Sequence, residues 1–153
     1  MSVVDTYKPS SIRLGYAAGA VLSVLESYIE GKKLELTDNE VLQIDRAREF
    51  LDSALKGYEI DKGPCFIFGG EEGIRARSDL HLVFNIFSTN YQEPPKNPSE
   101  LERELNTYQS SLEKLKNQTP LKTDEELASA RKMNYFLKKL LDWSDVEAYN
   151  GNH

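Results

Sequence analysis

Arg75, Arg77, Asp79 and His81 fall within one seven-residue stretch, which brings cations, a carboxylate and an imidazole close together in sequence. A guanidinium can stabilise the charge that builds on a phosphoryl group in transfer. An imidazole titrates near neutrality and can move a proton, and a carboxylate can accept one or hold a cation. The supply of such groups is thin: His81 and His153 are the two histidines, and Cys65 is the single cysteine. The plainer account of the cluster is structural, and the sequence favours it. In that account Asp79 caps a helix, Arg75 and Arg77 pair with Glu71 or Glu72, and His81 is a partly buried, satisfied side chain.

Two family resemblances pass through the same residues. The spacing of Arg75 and His81, with five residues between them, resembles the arginine-to-histidine motif of the HEPN family of helical ribonucleases. That resemblance implies a metal-free RNA cleavage in which two such motifs meet across a dimer. That family usually carries its motif on the last helix, whereas here two long helices are expected to follow. The second pattern joins Phe66-Ile67-Phe68-Gly69-Gly70 to Ser78-Asp79-Leu80-His81-Leu82-Val83, and it looks like the strand, Gly-Ser and Asp-x-Asp pattern of nucleotidyltransferases. There, paired carboxylates hold Mg²⁺ against a triphosphate. Here Gly70 stands in place of the serine and His81 in place of the second carboxylate, so the resemblance implies a degenerate transferase.

Other chemistries find no pattern. There is no Cys/His spacing for zinc, and no nucleophile is recognisable for a Ser/His/Asp set. Gly69-Gly70-Glu71-Glu72-Gly73 lacks a phosphate-binding lysine, and its two glutamates would repel phosphate. No metal and no cofactor are expected. Cys65 has no partner for an intramolecular disulfide and reads as a small buried hydrophobe. The 19 basic and 25 acidic residues give a net charge of −6, spread evenly along the chain. With no basic stripe, broad nucleic-acid binding is disfavoured. Residues 1–10 lack the basic and apolar regions of a signal peptide, and the most apolar run, Tyr16 to Leu25, is half of what spans a bilayer. A cytoplasmic protein without membrane contact is expected.

The elements that must position these residues are mainly helical. We expect a bundle of four to five helices in one domain over residues 1–153, with room for one short strand pair within residues 64–90. A sub-boundary is expected near residues 92–98. The first helix, about 11–30, has Ile12, Gly15, Gly19, Leu22, Leu25 and Ile29 on one face and stops at Gly31. Leu22→Ala is therefore expected to cost roughly 2–5 kcal/mol. Thr37 and Glu40 form a capping box for a second helix, about 37–56, with a seam of Val41, Ile44, Ala47, Leu51 and Leu55 and a stop at Gly57. Cys65–Phe68 reads as a short strand between breakers. Residues 78–91 match a helical face through Leu80, Phe84, Phe87 and Tyr91, and also a strand alternation through Leu80, Leu82, Phe84 and Ile86. The Ser78-Asp79 cap tips that segment to helix.

After Pro94, Pro95 and Pro98, a Ser99/Glu102 box opens a helix over about 99–117 with Leu101, Leu105, Tyr108, Leu112 and Leu115 on its seam. A Thr123/Glu126 box opens the last, about 123–142, with Leu127, Ala130, Asn134, Leu137 and Leu141. The short join makes residues 99–142 an antiparallel hairpin. Tyr108 and Leu112, with Tyr135, Phe136 and Leu140, lie partly off the shared seam and are the expected partner-binding residues. Trp143, Val146 and Tyr149 read either as an exposed anchor or as part of the bundle. Capped amphipathic helices dominate and catalytic residue types are scarce. The expected function is therefore non-catalytic: a protein-interaction or assembly protein that binds a protein partner or itself. A HEPN-like or nucleotidyltransferase-like domain using Arg75, Asp79 and His81 is the alternative.

Overall fold

The structure, a computed structural model, describes residues 11–62 and 70–151, with the side chains of 11–59 and 71–147. Five helices follow in order: α1 (Ser11–Ile29), α2 (Asp38–Lys62), α3 (Gly70–Asn90), α4 (Pro98–Asn117) and α5 (Asp124–Gly151). The protein is thus mainly helical, and the described residues contain no strand. Residues 70–90 of the expected strand pair are helix, and the Cys65–Phe68 segment lies outside the described residues.

Local chemistry sets most of the helix ends. At the start of α2, the Thr37 amide donates to Glu40 Oε1 at 2.8 Å and the Glu40 amide donates to Thr37 Oγ1 at 3.1 Å, the full reciprocal box. Thr123 Oγ1 likewise accepts from the Glu126 amide at 3.1 Å at the start of α5. The cap of α4 differs from the expected Ser99/Glu102 box. Asn97 Oδ1 accepts from the Glu100 amide at 3.0 Å, which makes Asn97 the cap and places Pro98 at the first helical position. Proline is well suited there, because its φ is already helical and that position needs no N–H. At the other end of α1, Gly31 takes φ 85°. Its amide donates to Tyr28 O, and that of Lys32 donates to Ser27 O, both at 3.0 Å. This is the paired closure that glycine favours. α4 ends in the same pattern without a glycine: Gln118 has φ 55°. Its side chain holds it there, donating to Leu115 O at 2.7 Å and accepting from the Leu34 amide at 3.2 Å.

The chain divides into two compact units, one drawn from Glu49–Leu105 and the other from Ser11–Arg48 with the residues from Asn106 onward. The division falls inside α2 and α4 and not at the 92–98 connector, because Leu101 and Leu105, in the first turns of α4, are core residues of the first unit.

In the unit from Glu49–Leu105, α2 and α3 cross with almost no space between their backbones. A Cβ at Gly57 would lie 2.8 Å from the Ala76 carbonyl carbon, nearer still to its oxygen, and 3.0 Å from Leu80 Cβ. Gly57 was expected to stop α2; the helix continues to Lys62, and the glycine serves as the notch of this crossing. The core here holds Phe50, Leu51, Ala54 and Tyr58 of α2 with Ala76, Leu80, Leu82, Val83, Ile86 and Phe87 of α3. Buried positions on α3 span about half of its circumference. A helix apolar on so many sides also matches a two-residue alternation, which is why its period was ambiguous. Phe84, expected on the buried face, is 41 % exposed, and Val83 takes its place.

In the other unit α1 runs antiparallel to α5. Near one end Ser144 Oγ donates to Ser11 O, and a Cβ at Gly15 would come 2.8 Å from Ser144 Cβ. Near the other, Tyr28 Oη donates to Thr119 O, just ahead of α5. Burial on the face, and then the charge of Glu126, hold the Tyr28 hydroxyl above its ordinary pKa. The buried residues of α1 are Gly15, Ala17, Ala18, Val21, Leu25 and Tyr28. The expected face is therefore rotated: Ile12 is 76 % exposed and Leu22 is only half-buried, so the large truncation cost belongs to Leu25 and not to Leu22. α5 continues nine residues beyond the expected end at 142, and its core residues are Ala130, Met133, Phe136, Leu137, Leu140 and Ser144. The α4–α5 hairpin is antiparallel as expected. Tyr108 packs on Phe136 with ring centroids 5.3 Å apart, and Lys114 Nζ reaches Glu126 Oε2 at 3.0 Å near the turn. That bond from Lys114, with the bonds from Thr123 and the Lys122 backbone, holds the Glu126 carboxyl below its usual range.

Candidate functional site

The four residues singled out for chemistry lie on α3, and the helix sends them in different directions. Arg75 and His81 are both exposed. Six residues of α-helix turn one about 120° away from the other, so α3 by itself does not bring them to one face. Arg77 shares a face with His81, one turn away, and the exposed Phe84 lies on the same side. His81 is thus a surface residue and not the partly buried one expected.

Asp79 has the opposite surroundings. It is 5 % exposed and sits in the middle of α3, so it does not cap a helix. Burial pushes its carboxyl up to about 6, against the lowering effects of a hydrogen bond from Ser53 on α2 and of the nearby Arg75 charge. Glu72, one of the two acidic partners expected for the arginines, pairs with Lys56 of α2 at 3.3 Å. What the sequence treated as one cluster is an Arg77–His81 edge, with His81 exposed and Arg77 half-buried, and an interior Asp79 held between α2 and α3. Among the described residues no group of three His, Cys, Asp or Glu side chains is placed to hold a metal ion.

Asp79 carries a pH dependence whose sign is fixed by its burial. Its carboxyl binds a proton more tightly in the folded chain (about 6) than at the ordinary value of 3.8. The native state is therefore favoured fully below about pH 4, and that preference is lost as pH rises through about 6. Two pH units correspond to on the order of 3 kcal/mol. Asp79→Asn, which stays neutral, is expected to flatten the fall in urea midpoint between pH 4 and 7 that the parent shows, and to match or exceed the parent at pH 7. Parallel pH profiles for the two proteins would show that Asp79 ionises without cost.

The five expected partner-binding residues separate as sharply. Tyr108 and Leu112 are fully buried, and Phe136 and Leu140 are 1 % and 3 % exposed. They are buried within their own chain, Tyr108 and Phe136 in direct ring contact, so these four offer no surface to a partner. Tyr135 is 40 % exposed, with Lys139 Nζ 5.3 Å from its ring centroid.

The exposed surface continues from Tyr135 to Val146, one of the residues the sequence offered as an exposed anchor. Val146, 57 % exposed, lies three turns along α5, with Lys139 and the exposed Asp142 between them. Lys139 Nζ is 3.8 Å from Asp142 Oδ2. These four residues, spaced four, three and four apart, run down the side of α5 opposite its core residues. The sequence named Tyr135 and Val146 separately, and the expected end of the helix at 142 kept them from being joined in one stripe.

No protein-family model matches the chain, and neither does any curated protein or any solved structure.

Proposed function

We propose that this chain is a helical protein-interaction or assembly protein that works without catalysis, by binding a protein partner or a second copy of itself. The observation that supports the reading is the outward face of α5, where Tyr135 and Val146 stand exposed on a continuous three-turn stripe. Large apolar side chains cost free energy in water, and these two share one face of α5. No helix among the described residues is long and apolar enough to cross a membrane, and a protein partner in the cytoplasm is the reading that accompanies the even acidic charge. The nuclease-like and transferase-like alternatives draw less from the geometry, since Arg75 and His81 leave α3 on different sides and Asp79 is interior.

A photo-crosslinking residue placed at Tyr135 or Val146, in cells that make the protein, tests the reading. Discrete protein adducts from both positions are expected, well above those from the exposed Thr89 of α3. Absence of adducts from both α5 positions would overturn it.

A further inference from the structure

We propose that the α5 stripe is the interface for a second copy of this chain, packed antiparallel about a two-fold axis that passes near residues 140 and 141. This rests on the interaction reading above and names its partner.

The argument is the order of chemistry along the stripe. From the N-terminal side it reads apolar, cationic, anionic, apolar: Tyr135, Lys139, Asp142, Val146. A two-fold axis perpendicular to the helix at its midpoint exchanges the two ends. It sets Tyr135 of one copy against Val146 of the other, and Lys139 against Asp142, each pair occurring twice. The spacing of four, three and four is that of alternating d and a positions in a two-stranded coiled coil. Antiparallel pairs of that kind match a with d, which is the pairing required here.

A parallel two-fold arrangement is disfavoured by the same residues. It would oppose Lys139 to its own copy and Asp142 to its own copy, so like charges would meet at the centre. In the single chain, Lys139 and Asp142 are already in a loose contact at 3.8 Å, and Lys139 lies over Tyr135. Dimerisation exchanges these for the equivalent contacts across the axis. The interface is small: a stripe about 17 Å long falls short of the ~800 Å² per partner of a standard complex, so weak association is expected.

Sedimentation velocity of the full chain over a wide concentration series tests the pairing through charge reversal. The parent is expected to pass from monomer to dimer. Lys139→Asp alone and Asp142→Lys alone should each weaken association by about tenfold or more, because each sets like charges against one another twice. The double variant Lys139→Asp/Asp142→Lys restores both opposite-charge pairs in the antiparallel arrangement, and its association should return to within about threefold of the parent's. Helical circular dichroism of each variant serves as the check on folding, and the double variant carries the same composition as the parent. Trp143, the single tryptophan, should change its emission on dilution of the parent.

A parent that dimerises with all three variants unaffected would overturn the α5 pairing while leaving self-association through another face. Single reversals that weaken association with a double variant that fails to recover would overturn the antiparallel geometry. A parent that is monomeric at millimolar concentration would overturn a second copy as the occupant. In that case the crosslinking experiment still decides the broader interaction reading, through adducts with a different protein.

Discussion

Gly57→Val is expected to destabilise the unit from Glu49–Leu105 by roughly 3 kcal/mol, at the upper end of what overpacking a core costs. Two effects of opposite sign meet at this position. Glycine inside a helix costs about 1 kcal/mol relative to alanine, so intrinsic propensity says that any replacement should help. The tertiary contact says otherwise. Even a methyl group would lie 2.8 Å from the Ala76 carbonyl carbon and 3.0 Å from Leu80 Cβ. The obstacle is backbone, which cannot swing aside as the tip of a side chain can, so α2 and α3 must part. Gly57→Ala should show a smaller net loss, about 1–2 kcal/mol, as the propensity gain offsets part of the clash. Urea titration reads both, and hydrogen exchange of the α3 amides locates the effect. A stabilised Gly57→Ala protein would mean that the helices do not approach one another as described.

The second large effect is expected at Leu25. This side chain is fully buried on α1, and Leu25→Ala should cost roughly 2–5 kcal/mol, the transfer cost of the lost methyl groups plus that of the cavity left behind. Against a total stability that is typically 5–15 kcal/mol, such a loss is a large fraction and lowers the urea midpoint visibly. Leu22→Ala, three residues earlier and only half-buried, should cost less than half as much. The comparison tests the rotation of α1 directly. Equal losses at the two positions would place the core face where the sequence pattern first put it.

The largest effects thus arise where two backbones or two faces meet, while the helix ends are set by short-range chemistry. Thr37 with Glu40, Thr123 with Glu126, and Gly31 behind α1 all do in the structure what their residue types indicate, because each bond closes within three to five residues of chain. The seam of α4 was equally legible: Leu101, Leu105, Tyr108, Leu112 and Leu115 are all 1 % exposed or less. A narrow apolar stripe on an otherwise charged helix admits one orientation.

Where the apolar pattern is broad, the sequence leaves the facing direction open and the partner element decides it. α1 has apolar or small residues on several sides, and its core face became Leu25 and Tyr28 through its antiparallel pairing with α5. α3 was balanced between two periods because its buried arc spans about half of its circumference. Gly57 has the residue type of a helix stop and the environment of a crossing, and only Ala76, nineteen residues away, distinguishes the two. Gln118 adopts a left-handed φ with no glycine signal, held by the amide of Leu34.

The candidate sites follow the same division. Residue type and spacing were enough to single out Arg75, Asp79 and His81, and to single out Tyr135. Whether Asp79 is interior, whether His81 is in water, and whether Tyr108 or Tyr135 faces outward depend on which side of each helix meets another. That is settled by contacts between residues far apart in the chain, whose pairing no local spacing encodes.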